Sequence, residues 1–300
     1  MSIRLEMLQV ARVSPKTLGD SADLVRDFLL SQQNDDGGFR DRIGTSDLYY
    51  TVFGLEGLLA LRADIRVTAV ADYLTSQGCG ERLDFVHLCC LARCWAALAN
   101  QQPDILQERP VDFQTRVSAR IEEFRANDGG YHPLPKSQSG TAYGCFLALA
   151  AYQDMGLELP EPLRVVQCLK FLETPDGGWT NERGMKFGAT NSTAAAITLL
   201  RHLRLPITAQ VGQWLLKQAH PQGGFLAIPG APIPDLLSTA TALHALSGLE
   251  VSLDPVREPC LDFIDTLWTA EGSFHGNWTD DHLDCEYTYY GLLALGHLSL

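Results

Sequence analysis

Reactive side chains are concentrated in the stretch Glu271 to Leu300, EGSFHGNWTDDHLDCEYTYYGLLALGHLSL. Asp284 stands just before an apolar run that reads as a helix, and Glu286 falls in the first turn of that run. If Asp284 spends its carboxylate on capping the backbone, Glu286 faces another direction and is free to point inward among aromatic rings. Desolvation there raises a carboxyl pKa and keeps a proton available, as a general acid requires. The plainer reading of Glu286 is a first-turn carboxylate that favours the positive end of a helix. Asp280 and Asp281, with Glu286 near them, suggest a magnesium site for a diphosphate, but the spacing is not DDxxD and acidic loop residues are commonly just solvated.

The elements that position these residues recur along the chain. A Gly-containing turn with an aromatic after it, a short polar loop and an apolar helix appear from DDGGF at Asp35–Phe39, DGGY at Asp128–Tyr131, DGGW at Asp176–Trp179 and QGGF at Gln222–Phe225. A period of roughly 45–50 residues is the signature of a repeat architecture. Between the turns lie two kinds of helix. The segments Asp23–Gln33, Val67–Gln77, Val111–Asn127, Pro162–Glu173, Val211–Ala219 and Pro259–Thr269 are one-faced, as Phe113, Val117, Ile121 and Phe124 illustrate. By contrast, Val52–Leu61, Leu88–Leu98, Tyr143–Tyr152, Ala194–Leu203, Ala240–Leu249 and Tyr289–Leu298 are apolar nearly all round. Buried helices alternating with half-exposed ones predict an inner ring inside an outer ring, an all-α α6/α6 toroid of about six helix pairs spanning residues 1–300 as a single domain. An open solenoid needs polar end caps, and the last helix here is as apolar as the others.

Composition bounds the function. Hydrophobic residues make up 46% of 300, enough for a large core, and the net charge of −13 without a basic run argues against nucleic acid or anionic membrane as a partner. No apolar run is long enough to span a membrane, and the N-terminal MSIRLEMLQVARVSP lacks a signal-peptide core, so a cytoplasmic location is expected. The eight cysteines fall mostly in apolar runs and read as buried free thiols. Asp47, Asp84, Asp235 and Asp284 each precede an apolar helix and suit the N-cap position.

Because the repeats share one polarity, the loops before the inner helices converge on one mouth of the ring. An aromatic cavity with polar groups at its rim suits a greasy ligand with one reactive end. The substrate-binding candidates there are Tyr49, Tyr50, His87, Tyr143, Trp278, Tyr287, Arg183 and Lys186. Asp235, Asp284 and Glu286 are the catalytic candidates.

Over the whole chain the pattern resembles the β subunits of protein farnesyl- and geranylgeranyltransferases, and more distantly the squalene and diterpene cyclases. QGGF with IPDLLSTATALHAL, and DDHLDCEYTYYGLLALGHLSL, carry the likeness. The transferase resemblance implies a catalytic zinc held by an Asp-x-Cys and a His. Asp235 matches, but Leu237 stands at the Cys position and Tyr287 at the His position, and neither offers a zinc donor. The basic residues expected to hold a prenyl diphosphate are also missing from LAIPGAPIP. A zinc site displaced onto Cys285, Asp284, His282 or His87 is the remaining metal possibility, and otherwise no cofactor is expected. The cyclase resemblance implies an acid that protonates an alkene or epoxide. The frame from Asp284 to Thr288 puts Glu286 where that acid falls, with Tyr49, Tyr50, Trp278, Tyr289 and Tyr290 as faces for a developing carbocation. GCGER at Gly78–Arg82 is similar to a complement thioester motif, yet Arg82 replaces the Gln that would acylate the Cys. The expected function is therefore an isoprenoid-processing enzyme that binds a polyprenyl substrate and performs metal-independent carbocation cyclisation. The alternatives are a prenyltransferase-like enzyme with an altered zinc site and a non-catalytic lipid- or protein-binding toroid.

Overall fold

The computed structural model describes residues 1–300. Six helices form an inner layer: α4 (Leu48–Ala60), α6 (Phe85–Gln101), α8 (Ala142–Asp154), α10 (Thr190–His202), α12 (Leu236–Gly248) and α14 (Cys285–Leu298). Each follows an outer partner, namely α3 (Ser21–Ser31), α5 (Val67–Ser76), α7 (Phe113–Glu122), α9 (Pro162–Lys170), α11 (Ala209–Leu216) or α13 (Asp254–Leu267). Consecutive inner helices pack side by side, and α14 returns to α4. This is the expected α/α toroid, with only one two-residue ladder, β1 (Phe39–Arg40) against β2 (Ser46–Asp47).

The two helix types differ for the reason their patterns suggest. In α7 the buried positions are Phe113, Val117 and Ile121, four apart on one face. In α4, Tyr49 and Tyr50 are the only residues that are not buried, because neighbours press on it from every side. All eight cysteines are free and buried. No helix is long and apolar enough to cross a membrane.

Glycine turns dock against the following outer helix. A Cβ at Gly223 would lie 1.8 Å from the Pro259 carbonyl oxygen of α13. A Cβ at Gly272 would lie 2.3 Å from the Leu24 carbonyl oxygen of α3, so the last turn docks on the first outer helix and closes the outer ring. Both glycines also sit at positive φ, 92° and 85°, where a side chain is strained.

The aromatic after the turn and the Thr four residues beyond the capping Asp work together. The Phe225 N–H donates to Thr239 Oγ1 at 2.9 Å, and that hydroxyl donates to the Asp235 carbonyl at 2.7 Å. Phe39, Thr51 and Asp47 repeat the arrangement at 2.9 and 2.6 Å. One hydroxyl thus satisfies a buried amide and ties the turn to the start of the inner helix.

One element lies outside the repeat. α1 (Ile3–Ala11) is capped by Ser2, buries Ile3, Arg4, Met7, Leu8 and Ala11, and packs against α4, α8 and α14. It crosses the ends where the inner helices finish and forms a floor. After it, α2 (Pro15–Leu18) leads into α3.

Candidate functional site

All six inner helices contribute to a central cavity of about 370 Å³, within the range of small-molecule sites. Its depth follows from helix position. Tyr143 is the second residue of α8 and Asp154 the last, and both line the wall, so the cavity runs about 16 Å along the helices. Apolar and aromatic groups dominate, with Tyr49, Phe53, Tyr143, Phe146 and Tyr290 on the wall and Met7 of α1 below. The Phe53 ring meets Tyr49 edge-on at 4.9 Å and lies 5.3 Å from Tyr290.

At the mouth the carboxylates take different roles. Asp284 accepts the Tyr287 N–H at 2.9 Å with one oxygen and the Arg42 Nε–H at 2.9 Å with the other. Arg42, on the β1–β2 loop, also reaches Asp280 at 3.2 Å and stands over the Tyr287 ring. Asp235 accepts the N–H and the hydroxyl of Ser238, both at 2.7 Å. Burial pushes its pKa up against those bonds. His87 bridges two helix caps, with Nε2 3.0 Å from Asp47 and Nδ1 2.8 Å from Asp84. Hydrogen bonds to Asp47 and then Asp84 lift its pKa to about 9, despite burial, so His87 is a cation at neutral pH.

Glu286 caps nothing. Its Oε1 accepts a 2.5 Å hydrogen bond from the Tyr49 hydroxyl, which lines the cavity. Burial, with the negative charges of Asp284 and Asp280, raises Glu286 to about 7, while the Tyr49 bond and Arg42 pull the other way. Burial, with Tyr290 and Glu286 beside it, keeps Tyr49 neutral.

The floor carries charge. Arg4 of α1 lies 3.6 Å from Glu56 and 3.3 Å from Asp154, and Arg93 lies 3.4 Å from Glu56. Burial raises Asp154 to about 6, with the Glu56 charge adding and the two arginines opposing. Both Arg93 and Asp154 line the cavity.

Among the sequence candidates, Tyr49 and Tyr143 line the cavity, and Glu286 touches it through Tyr49. The others do not line the cavity. Trp278 donates to Thr266 at 2.9 Å and packs edge-on against Phe263, both on α13, so it covers the outer ring. Arg183 pairs with Asp128 at 2.5 Å and lies over Phe171 just beyond α9, again outside. Lys186 is exposed on the same loop. Tyr50, Tyr287 and His87 belong to the rim, where Arg42 and the capping carboxylates engage them. Asp235 and Asp284 act as N-caps.

The residues present do not fit a zinc site. Leu237 is part of the apolar wall, and the Tyr287 ring is packed against Gly276. Of the displaced candidates, His282 is bonded to Asp280, His87 is held by Asp47 and Asp84, and Cys285 is buried. No three His, Cys, Asp or Glu side chains converge as a ligand set. Sequence reasoning missed Arg42, Arg93, Asp154 and the whole floor. The available signal was a lone charge inside an apolar helix, Glu56 in VFGLEGLLAL and Arg93 in LCCLARCWAAL.

The family model for the prenyltransferase alpha-alpha toroid domain matches residues 5–87 and 192–299. No curated protein matches the chain. Among solved structures, the type II terpene cyclase MstE from Scytonema, in complex with geranylgeranyl dihydroxybenzoate, is similar with a TM-score of 0.61 and 14% identity, over 95% of this chain and 97% of that one. Protein geranylgeranyltransferase-I from Candida albicans, complexed with GGPP, is similar with a TM-score of 0.52 and 16% identity, over 98% and 82%. A glycosidase in complex with glucose reaches a TM-score of 0.59 at 10% identity, over 97% and 96%. Likeness at such identities concerns the fold, which here carries unrelated chemistries.

Proposed function

Since the chain belongs to the prenyltransferase alpha-alpha toroid domain family, we propose that its central cavity binds a polyprenyl substrate and that Glu286 starts a metal-independent carbocation cyclisation as general acid. The observation that carries this reading is the contact of Glu286 with Tyr49 at the cavity wall, combined with a carboxyl pKa near 7. At neutral pH about half of the molecules then hold the proton, the condition under which a carboxylic acid serves as proton donor. Tyr49 is the member of the pair that lines the cavity.

The proton passes from Glu286 to the Tyr49 oxygen while the Tyr49 hydroxyl proton goes to an alkene carbon. The alkene π pair becomes the new C–H bond, the adjacent carbon becomes cationic, and Glu286 is left as the carboxylate. The Tyr49 hydroxyl donating to Glu286 is the arrangement that follows such a transfer. Phe53, Tyr143, Phe146 and Tyr290 offer ring faces to the cation, and the apolar wall keeps water from quenching it. The cyclase and transferase similarities support an isoprenoid ligand, since MstE and the geranylgeranyltransferase were both solved with geranylgeranyl compounds.

The test is Glu286→Gln, which keeps shape and hydrogen bonding and removes the acid. Turnover of polyprenyl substrates should fall to near zero while fold and ligand binding persist. Full activity in this variant removes Glu286 from the mechanism. A wild type that binds polyprenyl compounds but converts no polyprenyl diphosphate, squalene or epoxide supports the non-catalytic binding toroid instead.

A further inference from the structure

The floor of the cavity holds two polar groups that the proposed proton transfer does not use. Asp154, the last residue of α8, is 1% exposed, and its Oδ2 has no hydrogen-bond partner. Arg93 of α6 likewise has an Nη2 without a partner. Both side chains line the cavity, yet they make no ion pair with each other. Arg93 Nε donates to Glu56 at 3.4 Å, and Asp154 Oδ1 forms an ion pair with Arg4 at 3.3 Å that is not a hydrogen bond, so Arg4 Nε and Glu56 Oε2 are also without partners. A buried donor and a buried acceptor left open beside one space are costly unless something fills both.

We propose that Arg93 and Asp154 form a recognition site for a hydroxyl group, so that the ligand is an amphiphile with an alkene end at the mouth and a hydroxyl-bearing end at the floor. This rests on the reading of the cavity as a polyprenyl site. A hydroxyl accepts from Arg93 Nη2 and donates to Asp154 Oδ2 with one oxygen atom. It also respects the charge balance, since Arg4 and Arg93 face Glu56 and Asp154, two cations against two anions. A carboxylate satisfies Arg93 but adds a third negative charge beside Asp154 and Glu56. An ammonium satisfies Asp154 but adds a third positive charge. A hydrocarbon end leaves both groups unpaired. The polarity agrees with the proposed chemistry as well, because a carbocation is disfavoured next to Arg93 and belongs nearer the aromatic rings above.

The experiment measures binding of three probes to the full chain: geranylgeraniol, the corresponding carboxylic acid, and the corresponding hydrocarbon. A prenylated hydroquinone as a fourth probe separates a phenolic from an aliphatic hydroxyl. The alcohol or the phenol should bind at least about tenfold more tightly than both the hydrocarbon and the acid, the effect of hydrogen bonds to charged groups. Asp154→Asn removes the negative charge, turns one of the two acceptor oxygens into a donor and leaves the cluster positive, so preference should swing by about tenfold toward the acid. A role confined to holding α1 in place predicts no such swing. Arg93→Met should erase the preference for the alcohol while leaving hydrocarbon binding in place. Equal binding of alcohol and hydrocarbon to the wild type means that water fills the site and overturns the inference alone. Tighter binding of the acid by the wild type overturns it too. Failure of all probes to bind removes the polyprenyl reading and the inference together.

Discussion

Replacing Arg4 by Met tests whether α1 is held to the ring by charge buried away from water. Arg4 is 5% exposed, and its guanidinium lies 3.6 Å from Glu56 and 3.3 Å from Asp154, which are 0% and 1% exposed. Met keeps most of the volume but leaves two buried carboxylates with Arg93 alone, which reaches Glu56 and not Asp154. Breaking a buried pair from one side costs about 3–5 kcal/mol. The pH dependence separates this mechanism from lost packing. Burial already raises Asp154 from 3.8 to about 6, so the folded state binds that proton more tightly than the unfolded state does. Stability therefore falls as pH climbs from 3.8 through about 6, by at most about 3 kcal/mol in the wild type. Without Arg4 the folded pKa moves higher still and the sensitive window extends toward neutrality. Urea denaturation should show the full deficit of Arg4→Met at pH ~8 and a distinctly smaller one near pH ~5. A deficit below about 1 kcal/mol at pH ~8, or one that does not change with pH, would mean that water reaches the floor, and the buried-charge argument would fail.

Two further expectations concern the mouth and the repeat. His87 is raised to about 9 between Asp47 and Asp84, so its contribution is complete below pH 6.5 and is lost as pH rises through about 9. For a partly exposed clamp this is on the order of 1 kcal/mol, and His87→Gln should flatten the melting temperature across that window. Thr239→Val leaves the Phe225 N–H buried without an acceptor, at a cost of about 1–3 kcal/mol by chemical denaturation. A loss no greater than that of Thr241→Val, whose hydroxyl lies on the cavity wall, would show that the stitch between turn and helix carries no special weight.

The rings were legible because their signals are periodic and local. Apolar patterning separated α7 from α8, and each glycine turn marked a reversal. The Asp before four of the inner helices announced a cap, and Asp47, Asp84, Asp235 and Asp284 all accept first-turn amides. The floor was illegible for the opposite reason. Arg4, Glu56, Arg93 and Asp154 are scattered across four helices and meet only where α1 crosses the inner ring. The mouth was legible in part. Trp278 and Arg183 do fall in loops before inner helices, but those loops fold back over α13 and α9, a direction that spacing along the chain does not encode.

The separation of Asp284 from Glu286 shows how the ring could make an acid from an ordinary carboxylate. The six inner helices point their N-termini, with their partial positive charge, at one mouth. At the cap positions that charge and the free amides favour ionisation, although burial outweighs them at Asp235. Asp284 is held there by a backbone amide on one oxygen and by Arg42 on the other. Glu286, two residues on, receives no backbone amide, is bonded to the Tyr49 hydroxyl instead, and feels the negative charge of Asp284 beside it. Neighbouring carboxyls in unlike environments divide into a fixed anion and a proton carrier. In the proposed mechanism the cap therefore does more than start a helix, because its charge helps raise the Glu286 pKa and the Tyr49 hydroxyl links that carboxyl to the edge of the cavity.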